Sequence, residues 1–178
     1  MKNNILLIVE LNLINMCVII YKPKGVELPS LDLLTKANAF NPHGFGLCSP
    51  TQFYKGFNGR KLVNILGRCS IDEPVFIHFR YATTGSVKVS NCHPFYDEKT
   101  NTYFMHNGVL PYRPEDDITD SEFIFNVLKP YINTKKFKPM VNKVIGSSKF
   151  AFMLDDIVTL YGDFIEHNGL FLSNSRFL

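Results

Sequence analysis

Four polar clusters in this chain stand where apolar runs end or helical patterns begin, and each carries a group suited to acyl chemistry. Cys17 opens one apolar run, Arg80 closes another and leads into Thr83-Thr84-Gly85, His106-Asn107-Gly108 ends a third, and Asp120 starts a helical pattern. Singly, each has an ordinary structural use. A lone Arg serves as a surface ion-pair partner worth little, and Asn-Gly forms type I′ hairpin turns. An Asp at a helix start is an N-cap, and a free Cys packs in a core.

Together they supply the parts of one reaction. A thiol attacks a primary amide while donors aimed at the carbonyl oxygen hold the oxyanion. An Asn side-chain amide beside a Gly N–H, which approaches closely for want of a Cβ, makes such a hole. A zwitterionic amino acid also needs a cation for its α-carboxylate, which the Arg fork matches. Its α-ammonium needs an anion, and Asp120 offers one. No histidine is required as base if the thiol belongs to an N-terminal residue. A free α-amine titrates at roughly 7.7–8.0, close to ideal for general-base work at neutral pH.

The elements that must position these groups are short. Residues 17–21, 74–81 and 102–106 read as strands, the second being the clearest. Residues 44–48 and 52–56 form a hairpin around Ser49-Pro50, and residues 150–154 and 157–164 form another around Asp155-Asp156. A helix over 30–40 takes Ser30 as N-cap with Leu31, Leu34 and Ala37 inward, and another over 61–69 turns Leu62, Ile65 and Leu66 inward. Thr119 with Glu122 is a capping box for a helix reaching Leu128, and a further helix lies near 139–145. Short strands interleaved with three or four helices predict an α+β fold of antiparallel sheets in a sandwich with helices outside.

Composition narrows the class. A chain of 178 residues with 46% hydrophobic and 20% charged residues builds one domain with a sizeable core. A net charge of +3 excludes the strongly basic nucleic-acid binders. The longest apolar stretch, residues 5–20, is broken by Glu10, Asn12 and Asn15, which excludes a spanning helix. Cys17, Cys48, Cys69 and Cys92 lie far apart with no C-x-x-C pair, so neither a zinc ribbon nor a disulfide framework is expected. Reduced thiols in a cytoplasmic compartment follow. His93 and His106 read as satisfied structural histidines and His43 as a loop residue; no metal-ligand spacing appears and no cofactor is called for.

Residues 1–16 are a mildly hydrophobic leader ending at Met16. They are a secretory or lipoprotein signal, an extra element of the fold, or a segment absent from the active protein. The third case covers a propeptide and a mis-chosen start codon alike. Either exposes Cys17 as the first residue, with residues 17–178 as the domain.

The ordered set Met16-Cys17-Val-Ile-Ile, Ile77-His-Phe-Arg-Tyr-Ala-Thr-Thr-Gly85, Asn91-Cys-His-Pro-Phe95, Phe104-Met-His-Asn-Gly-Val109 and Thr119-Asp-Ser-Glu122 resembles the class II glutamine amidotransferase domain of the N-terminal-nucleophile hydrolase superfamily. The resemblance runs from Cys17 to about Leu128. It implies a four-layer αββα sandwich and glutaminase-type hydrolysis through a γ-glutamyl thioester on Cys17. It also implies that Arg80, with Thr83 beside it, and Asp120 bind the amino acid, and that Asn107 and Gly108 form the oxyanion hole. The substrate is then glutamine or a glutamine-like amide, and the ammonia goes to a separately encoded synthetase. A non-catalytic amino-acid-binding module of the same fold and an amidohydrolase of another γ-amide are the alternatives. Thr84 stands where family members often carry His, and no role attaches to the closing Ser173-Asn174-Ser175.

Overall fold

Val18, Ile19 and Ile20 are wholly buried, and they form the centre of the first strand, β1 (Val18–Lys22). The computed structural model describes residues 17–112 and 117–178; the leader, residues 1–16, lies outside them. The β-branched run that makes β1 a strand also lets it be covered on both faces, with neighbours on both edges. It pairs antiparallel with β4 (Val75–Phe79) on one edge and with β10 (Leu170–Leu172) on the other. The sheet is completed by the hairpin of β2 (Phe45–Cys48) and β3 (Phe53–Gly56), and by β9 (Ile165–His167), in the order β3-β2-β4-β1-β10-β9. The second sheet orders β5-β6-β7-β8, from β5 (Phe95–Asp97), β6 (Thr102–Asn107), β7 (Lys149–Leu154) and β8 (Ile157–Tyr161).

Strand alternation divides the apolar side chains into three layers. Val18, Ile20, Leu47, Ile77 and Phe79 pack outward against α1 (Leu31–Phe40) and α2 (Gly59–Leu66). Phe104, Phe150 and Phe152 pack outward from the other sheet against α3 (Asp120–Leu128) and α4 (Phe137–Val144). Ile19, Cys48, Phe76, Met105, Ala151 and Met153 meet between the sheets. This is the four-layer αββα sandwich that the pattern and the resemblance both predict.

Local signals set the helix starts. Ser30 accepts from the Leu33 N–H at 3.2 Å, and Thr119 accepts from the Glu122 N–H at 3.0 Å. Caps of this kind contribute about 1 kcal/mol each. The inward face of α1 differs from the expected one: Leu33, not Leu31, is buried with Leu34 and Ala37, and Leu31 is 64% exposed. Helix α2 begins at the Asn58 cap, earlier than the periodicity indicated, and α4 begins at Phe137. Strands β5, β9 and β10 span three residues each, too few for an alternation to register in the sequence.

Gly46 of β2 packs directly against the loop that leads into β5. A Cβ built on Gly46 meets the His93 carbonyl oxygen at 1.9 Å, a backbone atom with little freedom to move. Gly46→Ala should therefore cost about 3 kcal/mol or more through overpacking, read as a lower urea midpoint. Gly59→Ala, whose Cβ meets nothing within 4 Å, should leave the midpoint nearly unchanged. Equal midpoints for the two variants would contradict this close packing.

Candidate active site

The two-residue period of the strands decides which expected residues can meet. Ile19 faces the second sheet, so Cys17, two residues earlier, continues on that side. Phe76 and His78 face inward from β4, and Arg80 follows them; Met105 faces inward from β6, and Asn107 follows it. The register Val18↔Phe79 sets Cys17 beside Arg80 at one end of the sandwich.

The Cys17 thiol is held by one residue of the neighbouring chain segment. Its sulfur donates to the Tyr81 carbonyl at 3.3 Å and accepts from the Tyr81 N–H at 3.2 Å. Burial pushes the thiol up to about 11, against a downward pull from the Tyr81 N–H and the Arg80 charge. At neutral pH Cys17 is a protonated thiol, and its attack on a carbonyl needs a base at that moment. Cys48, Cys69 and Cys92 are buried and also raised, which suits packing residues.

Arg80 is 3% exposed and is no surface ion-pair partner. Its guanidinium donates to the carbonyls of Ser86 at 2.9 Å and Thr84 at 2.8 Å, so it shapes the loop it precedes. Asp120 is not the N-cap of α3; Thr119 is, and Asp120 is the first helical residue. There the helix dipole favours its charge. Its carboxylate accepts from the N–H groups of Ser121 at 2.9 Å and Leu110 at 3.0 Å, and from the Thr84 hydroxyl at 2.9 Å. The sequence did not single out Thr84 for this: one residue accepts from the cation and donates to the anion.

Cys17, Arg80, Thr83, Gly108 and Asp120 line one cleft, with Thr83 exposed at its rim. A buried cation and a buried anion beside one thiol match the charges of an amino-acid zwitterion. Asn107 and Gly108 form no hairpin: β6 ends there and the chain runs on towards α3. Gly108 has φ 139, and a Cβ on it meets the Ser148 hydroxyl oxygen at 2.4 Å. Only glycine fits that conformation and space. Asn107 is buried beside the cleft rather than lining it, and its side-chain nitrogen donates to the Ser173 hydroxyl oxygen at 2.7 Å. Asn174 Nδ2 donates to the Cys17 carbonyl at 2.8 Å. Neither tail residue carried a signal in the sequence beyond its polarity.

Three buried histidines surround the cleft floor. The His78 and His93 rings lie 4.1 Å apart, His78 Nε2 meets the His106 carbonyl oxygen at 3.1 Å, and His106 Nδ1 meets the Ser121 hydroxyl at 2.7 Å. His93 and His106 line the cleft but are not the satisfied histidines expected: among the described residues neither ring nitrogen of His93 has a hydrogen-bond partner, and His106 Nε2 has none. His43 is more than a loop residue: its Nδ1 accepts from the Ala82 N–H at 2.9 Å, bracing the segment that holds the thiol. A roomier cavity of about 430 Å³ opens beside α1 between Glu27, Lys36 and His167, without a nucleophile. Among the described residues no group of three or more His, Cys, Asp or Glu is placed to hold a metal, and no helix is long and apolar enough to cross a membrane.

The sequence matches a known family. The family model of the Glutamine amidotransferases class-II matches residues 61–176, well over half of the 178-residue chain. The chain belongs to that family. The matched span carries Arg80, Thr83, Asn107, Gly108 and Asp120 and begins beyond Cys17. None of the curated proteins compared with the chain matches it.

The histidines make stability depend on pH. Burial lowers His78 to about 3 and His106 to about 4, and lowers His93 well below the usual imidazole range, helped by its neighbour His78. They are neutral in the folded chain, whereas unfolding frees them to take up protons below about 6.5. Between pH 6.5 and 4 the unfolded chain binds more protons, so stability falls with pH by about 1.4 kcal/mol per unit per histidine. The urea midpoint should drop steeply from pH 7 to pH 5, and His78→Gln should flatten the slope. A midpoint level over that range would contradict neutral burial.

Proposed function

We propose that this chain cleaves the γ-amide of glutamine through a γ-glutamyl thioester on Cys17 and releases ammonia. One observation carries the reading: the thiol shares a cleft with buried Arg80 and Asp120, charges of opposite sign suited to the two ends of an amino acid. Membership of the class II glutamine amidotransferases supports the same substrate.

In this reading the active protein begins at Cys17, residues 1–16 being removed or never made. The freed α-amine takes the thiol proton, and the sulfur attacks the γ-carbonyl carbon. Asn107 and the Gly108 N–H donate to the oxyanion so formed. As the C–N bond breaks, the amine returns its proton to the leaving nitrogen and ammonia departs. Water then attacks the thioester, giving glutamate and restoring the Cys17 thiol. Arg80 holds the α-carboxylate, Asp120 the α-ammonium, and Thr83 closes the rim. The ammonia passes to a separately encoded synthetase.

The raised thiol explains why the amine matters. With Cys17 inside a peptide bond, a thiol pushed up to about 11 has no amine base to take its proton. Protein purified from its native source should show an intact mass beginning at Cys17. An uncleavable chain retaining residues 1–16 should bind glutamine without turning it over. Full turnover by that chain would end the N-terminal-nucleophile reading and favour a different base.

Recognition and chemistry should also separate. Arg80→Lys keeps the charge but loses the planar bidentate fork, and should raise KM about 30-fold or more, from roughly 2 kcal/mol of lost binding. Asn107→Ala should lower kcat roughly 10²–10³-fold with a smaller change in KM. A simple amide lacking the α-carboxylate should be a poor substrate and nearly indifferent to Arg80→Lys. If Arg80→Lys slows both substrates equally, the carboxylate assignment is wrong.

A further inference from the structure

Ser173 joins the two sheets at the end where the cleft lies. It follows β10 directly and is wholly buried. Its N–H donates to the Ile19 carbonyl at 2.9 Å, and its hydroxyl oxygen accepts from the Ile19 N–H at 2.8 Å. The same oxygen accepts from Asn107 Nδ2 at 2.7 Å. One side chain of the first sheet thus grips both the strand that carries Cys17 and the side chain that ends β6 in the second.

A hydroxyl oxygen has two acceptor sites, and here both are filled by N–H donors. An Asn side-chain nitrogen has two hydrogens, so one is held by Ser173 and the other stays free to donate. Among the described residues Asn107 Oδ1 has no hydrogen-bond partner. Among the described residues Ser173 supplies the one side-chain hydrogen bond made to this amide. The terminal torsion of Asn is broad and two-fold, so without that contact the amide is free to turn.

We propose that Ser173 is a positioning residue for the reaction: it holds the Asn107 amide in place and ties that donor to the nucleophile's strand. Its neighbour Asn174 acts in the same sense, since it holds the Cys17 carbonyl. The kinetic consequence rests on the γ-amide reading above; the orientation of Asn107 does not. Because the oxyanion exists only in the transition state, the loss falls on kcat and leaves KM nearly alone.

A double-mutant cycle with an NMR readout, on protein expressed from the full chain, tests this. Ser173→Ala should lower kcat for glutamine about 10- to 100-fold, a part of what a whole oxyanion donor supplies, with KM within about twofold. In an Asn107→Ala background the same change should lower kcat less than about twofold, because the group it orients is gone. In parallel, the Asn107 side-chain amide protons, assigned by their loss in Asn107→Asp, should exchange with solvent at least about tenfold faster in Ser173→Ala. An equal kcat loss in both backgrounds would make Ser173 a scaffold residue and overturn the proposal. So would unchanged exchange of the Asn107 amide in Ser173→Ala. If the protein turns over no glutamine at all, the γ-amide reading fails, while the exchange measurement still decides whether Ser173 orients Asn107.

Discussion

The antiparallel ladder between β1 and β4 is the constraint on which the site depends. Its register, Val18↔Phe79 through Lys22↔Val75, leaves no freedom in where Cys17 lies relative to Arg80. A slip of β1 by one residue would turn Ile19 outward and Val18 inward, and would take Cys17 off the inner side. On the other edge of β4 the pairing with β2 extends past the formal strand ends, since Arg80 N–H donates to the Gly44 carbonyl at 2.7 Å and His43 N–H to the Arg80 carbonyl at 3.0 Å. The buried guanidinium is thus built on a rigid element and reaches the loop after it only through its side chain.

Around that ladder the cleft is assembled from parts with different sequence separations. Asp120 arrives through the capped start of α3, and its carboxylate is fixed by two backbone N–H groups and the Thr84 hydroxyl before any ligand binds. Arg80 is fixed by the carbonyls of Thr84 and Ser86. Both charges are held apart by neutral partners instead of neutralising one another in a direct ion pair. Buried charges cost several kcal/mol unless paired or hydrogen-bonded. Here hydrogen bonds to the backbone carry that burden and leave both charges available to a zwitterion. Thr84 links the two arrangements.

Much of this was legible in the sequence because the groups sit at the ends of recognisable elements. The apolar run before Arg80, the Asn107-Gly108 pair after β6 and the capping box at Thr119 each fix a residue to a boundary, and boundaries at one end of a sandwich converge. The parity of β1, β4 and β6 then places Cys17, Arg80 and Asn107 on the inner side. Ser173 and Asn174 were not legible, because their roles come from the pairing of β10 with β1 across nearly the whole chain. A three-residue strand has no periodicity to reveal that pairing. The error at Leu31 has a similar origin: one helical turn of Leu-Asp-Leu-Leu allows two apolar faces, and only the sheet beneath selects Leu33.

The central claim is that a half-buried, high-pKa thiol is made nucleophilic by its own α-amine. The pH dependence of Cys17 alkylation by a glutamine-analogue diazoketone tests it most directly, with peptide mapping to locate the adduct. The account predicts one adduct per chain, on Cys17, with a rate that rises to a plateau around the α-amine range of roughly 7.7–8.0. A rate that climbs steadily towards the thiol's own value of about 11, or an adduct on Cys92, would contradict it.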